Sequence, residues 1–173
     1  AVLEALRAAL PEDGQLFTDM TQLAYTANFR FPFEKPRRGF HPNGFGTLGY
    51  ALPAAIGGKI ACPERPTVAL AGDAGFLFTL QELGTAVELG LALPILLWNN
   101  DALGQIAKDM VARDIPELGV KPRNPDYLAL AQAFGARAER PDSLHGLQDA
   151  LKRAFAADGP TLIEIRQDAP FLP

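Results

Sequence analysis

Between Arg65 and Lys108 the chain has no lysine and no arginine. An anion held by this stretch must be met by backbone N–H groups, helix N-termini or a bound cation. Cysteine is almost missing. Cys62 stands alone, which excludes a disulfide framework or a cysteine-based zinc site within the chain and fits a reducing cytoplasm. No apolar run approaches the roughly 20 residues of a membrane-spanning helix. Positive charge is in deficit. The 16 Lys and Arg against 20 Asp and Glu leave a net charge of −4, which argues against nucleic acid and anionic membrane as partners. Residues 1–10 carry an amphipathic helical pattern without the basic start and apolar core of a signal peptide.

What is present suits one domain of ordinary size: 173 residues, 48% of them apolar. Strand-like and helical patterns alternate, with no internal repeat. After the first helix, strands are expected at 15–18, 67–71, 95–98 and 161–166, with a short one at 136–139. Helices are expected at 20–28, 48–61, 104–113, 126–134 and 142–157. Another should start at the capping box Thr79-Leu80-Gln81-Glu82 and stop at Gly90. Residues 31–46, 72–75 and 115–125 read as loops. Short apolar runs bounded by Gly, Pro and Asn are the mark of buried parallel strands. The expected fold class is therefore α/β, a parallel sheet with helices on both faces.

Asp73 follows the strand Thr67–Ala71, and Asn100 follows Ile95–Trp98. Parallel sheets bind ligands outside the carboxyl ends of their strands, so two hard oxygen donors should converge there. Read singly, Asp73 is equally a helix cap and Asn100 a turn residue. A second motif, Gly44-Phe45-Gly46-Thr47-Leu48-Gly49, matches G-x-G-x-x-G. A dinucleotide site needs a strand directly before it and an acid about 20 residues on. Pro42 makes a poor central strand, and Glu64 sits between Pro63 and Pro66, so a glycine turn for close helix packing is the better reading.

Gly72-Asp73-Ala74, a 24-residue spacer from Gly75 through Trp98, and Asn99-Asn100 together resemble the G-D-G…N-N motif of thiamine diphosphate-dependent enzymes. The run from Gly44 through Gly57 resembles the glycine segment of acetolactate synthase-like members. Asn99 through Ile106 is similar to sequences of 5-guanidino-2-oxopentanoate decarboxylases. Ala74 departs from the second glycine of the motif, and Gly75 stands where many relatives carry serine.

The resemblance implies the diphosphate-binding fold with thiamine diphosphate and Mg²⁺ as cofactors. Its implied metal ligands are the Asp73 carboxylate, the Asn100 side-chain oxygen and the Ala102 carbonyl, in keeping with the oxygen octahedron Mg²⁺ prefers. Gly72, Asp73, Ala74, Gly75, Leu103 and Gly104 would border the diphosphate, and Thr21 and Gln22 would reach it. Among the residues set near the chemistry, the Gly46 carbonyl would accept from the cofactor's amino group. Leu48 would wedge between its two rings, and Gln105 and Ile106 would face the reacting carbon. His41 is a further acid/base candidate. Some of these have a plainer role: core for Leu48 and Ile106, helix-start capping for Thr21 and Gln22, a structural loop residue for His41. His145 is expected at the surface.

The expected substrate is a 2-oxo acid, and decarboxylation is the expected reaction. The alternatives are an acetolactate synthase-like carboligase domain or a non-catalytic cofactor-binding or assembly module. Family enzymes also use a glutamate on a pyrimidine-binding domain, supplied by a neighbouring subunit in a homodimer or homotetramer. Nothing in residues 1–173 matches that domain or the middle domain, so the chain reads as one C-terminal diphosphate domain of a longer enzyme.

Overall fold

The computed structural model describes residues 1–172. Strands β1 (Gln15–Thr18), β2 (Gly39–Phe40), β3 (Thr67–Gly72), β4 (Pro94–Asn99), β5 (Arg137–Glu139) and β6 (Thr161–Arg166) form one sheet in the order β2-β1-β3-β4-β6-β5. Every pairing is parallel. The central strands β3 and β4 are apolar along almost their whole length because both of their faces are covered. The pleat divides the core. Val68, Leu70, Leu96 and Ile163 point into one apolar layer, under helices α1 (Val2–Ala9), α2 (Gln22–Arg30) and α8 (Leu144–Phe155). Ala69, Ala71, Ile95, Leu97 and Leu162 point into the other, under α3 (Ala51–Ala61), α5 (Glu82–Glu88) and α7 (Tyr127–Ala133). The remaining helices, α4 (Asp73–Phe78) and α6 (Gly104–Val111), begin where β3 and β4 end.

Local chemistry sets the helix starts. Ser143 Oγ accepts from Gly146 N–H at 3.0 Å and starts α8, while Asp126 accepts from the N–H groups of Leu128 and Ala129 and starts α7. Four local expectations need correction. Residues 72–75 are not a loop, since α4 starts at Asp73 with that side chain accepting from Ala74 N–H at 2.9 Å. Thr79 caps no following helix; its hydroxyl donates instead to the Gly49 carbonyl at 2.9 Å, and α5 starts only at Glu82. The helix expected from residue 48 starts at Ala51, because Gly49 holds a left-handed φ of 84° that ends any regular run through it. The loop at 31–46 contains β2, an edge strand so short that no alternating pattern can mark it.

Candidate functional site

From β1 the chain moves outward to β2 and then returns to β3 on the other side of β1. The first crossover helix, α2, covers one face and the second, α3, covers the other. A crevice therefore opens at the carboxyl ends of β1 and β3, the position that doubly wound sheets use for ligands. A cavity of about 240 Å³ lies there. Met20, Thr21, Gln22 and Tyr25 line it after β1, and Gly46 and Leu48 after β2. The run from Gly72 to Gly75 lines it after β3, and Asn100 with the run from Ala102 to Ile106 lines it after β4. A larger hollow of about 1040 Å³ runs along α1 and α2. Gln22 borders both, but the glycine, aspartate and asparagine motifs face only the smaller one.

Asp73 is 3% exposed. Its oxygens meet the Ala74 N–H at 2.9 Å and the Asn124 amide at 2.7 Å, and its backbone carbonyl accepts from the Tyr127 hydroxyl at 3.0 Å. Burial, and after it the Asp73 charge, pushes the Tyr127 hydroxyl far above its ordinary range, so it stays a donor. Asn100 is half-buried; its Nδ2 donates to Gln22 Oε1 at 3.1 Å, and its Oδ1 accepts from Ala102 N–H at 3.3 Å. The neighbouring Asn99 turns the other way. Its amide donates to buried Glu164 at 2.7 Å, and Glu164 is held in turn by Arg140 at 2.6 Å. Between the two asparagines and α6, Asp101 takes a left-handed φ of 54°, which makes the turn sharp enough to bring Asn100 and Gly104 together.

Leu48 sits in the turn before α3, half-buried, with its side chain on the cavity wall. That turn is fastened from beneath. Asp19, 1% exposed, accepts from Gly49 N–H at 2.9 Å and from Met20 N–H at 2.8 Å. Burial raises the Asp19 pKa, and the backbone N–H groups of Met20, Gly49, Ala51 and Tyr50 offset part of the rise.

Residues 19–165 match the family described as "Thiamine pyrophosphate enzyme, C-terminal TPP binding domain". The chain belongs to this family. It is 53% identical over 167 residues, 96% of its length, to a protein of Pseudomonas aeruginosa named "Probable 2-ketoarginine decarboxylase AruI". It is 33% identical over 157 residues, 90% of its length, to the acetolactate synthase isozyme 3 large subunit of Escherichia coli. The aligned parts are 30% and 27% of those two proteins, so the chain spans less than a third of the relatives it matches. Among solved structures it is similar to the thiamine diphosphate-dependent 4-hydroxybenzoylformate decarboxylase of Rhodococcus jostii RHA1. That similarity has a TM-score of 0.87 and 26% identity, and covers 95% of this chain and 31% of that one.

As a member of this family the chain has thiamine diphosphate as its cofactor, and the cavity suits the anionic end of that group. Among the described residues the buried Asp73 carboxylate meets only neutral donors, so it lacks a compensating cation. Helices α4 and α6 both start at the cavity wall, where the positive ends of their dipoles favour an anion. Among the described residues no three of His, Cys, Asp and Glu gather into a metal cluster. A site of one carboxylate, one amide oxygen and one backbone carbonyl is not of that kind.

Gln105 and Ile106 line the cavity but are exposed at its mouth. His41 is not on its wall. Its Nδ1 lies 2.8 Å from the Thr18 hydroxyl, it borders a separate hollow beside Phe33 and Arg37, and burial lowers its pKa. His145 is exposed on α8, 3.3 Å from Asp149. Sequence reasoning passed over Asp19, Met20, Tyr25, Asn124 and Tyr127. For the last two the one local signal was Asn124-Pro125-Asp126-Tyr127, which reads as an ordinary loop-to-helix start.

Proposed function

We propose that this chain is the diphosphate- and Mg²⁺-binding domain of a 2-oxo acid decarboxylase. The observation that carries the reading is the cavity where Asp73, Asn100 and Ala102 meet without a lysine or arginine among the residues that line it. Mg²⁺ takes about six hard oxygen ligands. The Asp73 carboxylate, the Asn100 side-chain oxygen and the Ala102 carbonyl would hold it, leaving its remaining positions for diphosphate oxygens and water. Thr21, Gln22 and the residues from Gly72 to Gly75, with Leu103 and Gly104, would surround the diphosphate.

Bound thiamine diphosphate supplies a carbon nucleophile for the 2-oxo group and takes up the electron pair left as CO₂ departs. The chain's own part is positioning. With the cofactor bound, the Gly46 carbonyl would accept from its amino group, and Leu48 would stand between its two rings. Ile106 would wall the substrate side, with Gln105 beside it, once the mouth is covered.

For the substrate, the 53% likeness to a probable 2-ketoarginine decarboxylase favours a 2-oxo acid with a cationic tail. Of the acids near the mouth, Asp101 is bound to Arg166 and Glu117 to Lys121. Among the described residues Asp109 meets only the amide of the cavity-lining Gln105, at 3.0 Å, and would meet such a tail; Asp114 also has no side-chain partner but is not beside a lining residue. The rest of the enzyme, with a pyrimidine-binding domain contributed by a neighbouring subunit, would cover the mouth. Phe45 (100% exposed), Phe78 (63%) and Leu118 (77%) are large apolar side chains that such a partner would bury.

The test is CO₂ release by the full-length protein, with Mg²⁺ and thiamine diphosphate, from pyruvate and from 5-guanidino-2-oxopentanoate. Preference for the guanidino acid, reduced in Asp109→Asn, is the expected result. Acetolactate as the product from pyruvate would establish the carboligase alternative. Cofactor binding with no turnover of either acid would establish a non-catalytic module.

A further inference from the structure

Residues 112–126 contain no helix or strand, yet they are fixed to the two turns that carry Asp73 and Asn100. Val120, 4% exposed, accepts from Leu103 N–H at 2.8 Å. Further along, Asn124 Nδ2 lies 2.7 Å from Asp73 Oδ2, 3.1 Å from Asn99 Oδ1 and 3.2 Å from Asp101 Oδ1. Tyr127 then fastens the Asp73 backbone from the other side. One amide nitrogen has only two hydrogens for these acceptors, and the shortest contact goes to the Asp73 carboxylate.

The opposite face of the same amide is the informative part. Asn124 Oδ1 is buried and has no hydrogen-bond partner among the described residues. Turning the amide over would not cure this, because it would set Oδ1 against the Asp73 carboxylate and remove the donors from three oxygens. The orientation is thus dictated by the oxygens around Nδ2, at the cost of an orphaned acceptor.

We infer that Asn124 is a positioning residue for the metal: it aims the Asp73 carboxylate and ties the order of residues 112–126 to metal occupancy. The inference rests on the reading of Asp73 as a metal ligand. A link from amide to carboxylate to metal is the usual form of outer support for a metal site, and its loss typically weakens metal binding by about 10–100-fold. Asn124 is not among the residues that line the cavity. Its effect passes through Asp73.

The experiment uses the full-length protein and two readouts. The first is the Mg²⁺ concentration for half-maximal thermal stabilisation at fixed thiamine diphosphate. The second is the rate of tryptic cleavage after Arg113 and Arg123, both exposed and neither followed by proline. In the wild type, Mg²⁺ with cofactor should raise the melting temperature and slow cleavage at Arg123. Asn124→Ala should need about ten-fold more Mg²⁺ for the same shift and lose the protection at Arg123. Asn124→Leu keeps the side-chain volume, removes the donor and should behave alike, which separates lost packing from lost aim. Wild-type half-saturation and protection in both variants would overturn the inference. Outright unfolding of both would overturn it too, by making Asn124 part of the fold rather than of the ligand's aim. A wild type that ignores Mg²⁺ would instead overturn the metal reading of Asp73.

Discussion

Gly104→Ala is the perturbation that best separates the site from the fold. Gly104 is the first residue of α6, and its φ is not in the left-handed region, so alanine suits the backbone there. Replacing a helical glycine by alanine is worth up to about 1 kcal/mol in favour of the fold. The added Cβ would stand 2.7 Å from Asn100 Nδ2 and 3.3 Å from Gln22 Nε2. The first distance is too short to survive, and the movable atom is the end of the Asn100 side chain. Its swing breaks the 3.1 Å hydrogen bond to Gln22, a loss of about 1 kcal/mol that roughly cancels the helix gain. The melting temperature of the metal-free protein should therefore stay near the wild-type value. Metal binding should not. If Asn100 supplies a ligand oxygen, displacing it should weaken Mg²⁺-dependent cofactor binding by at least about ten-fold, or about 1.4 kcal/mol. The assay is calorimetric titration of thiamine diphosphate into the full-length protein at several Mg²⁺ concentrations, beside a melting curve without metal. Wild-type affinity in a folded Gly104→Ala protein would refute the assignment of Asn100.

Leu48→Ala in the full-length protein should lower kcat more than cofactor affinity, since Leu48 orders reacting groups and does not hold the diphosphate. Leu48 is only half-buried, so the stability loss should fall below the about 2–5 kcal/mol of a fully buried leucine, and unchanged turnover would exclude the wedge role. Asp19 gives a pH dependence. Its folded pKa is raised above 3.8, so in that window the folded state keeps a proton that the unfolded chain has released, and stability falls as pH rises through it. Asparagine does not titrate, so the melting temperature of Asp19→Asn relative to wild type should rise from about pH 4 upward and then level off; a flat or falling difference would contradict it.

The sheet was legible because β3, β4 and β6 are covered on both faces, and a strand of that kind must be apolar along most of its length. Asp73 and Asn100 were legible for the same reason, as polar residues that break such runs at the carboxyl end. What local reading missed was decided by distant partners. Residues 72–75 look like a loop, but Phe76 is buried against Tyr127 and the Tyr127 hydroxyl holds the Asp73 carbonyl, so α4 forms there. The Thr79 capping box has the right letters, yet its hydroxyl is taken by Gly49, thirty residues away. Asn124 is 51 positions from Asp73, and no periodicity or turn preference reaches across that gap.

The polar network follows the same division. The oxygens that face the cavity come from residues at strand ends, where a hydrophobic pattern locates them. The groups that hold those oxygens in place lie downstream. Asn124 and Tyr127 reach back to Asp73, and Glu164 on β6 reaches across to Asn99 with Arg140 behind it. A buried carboxylate without a cation is tolerable only when its neighbours are fully committed to it. Asp73 is in that position, so its aim depends on packing of the later segments as much as on its own turn. A substitution in residues 112–126 that leaves every cavity-lining residue in place should therefore still reach the metal.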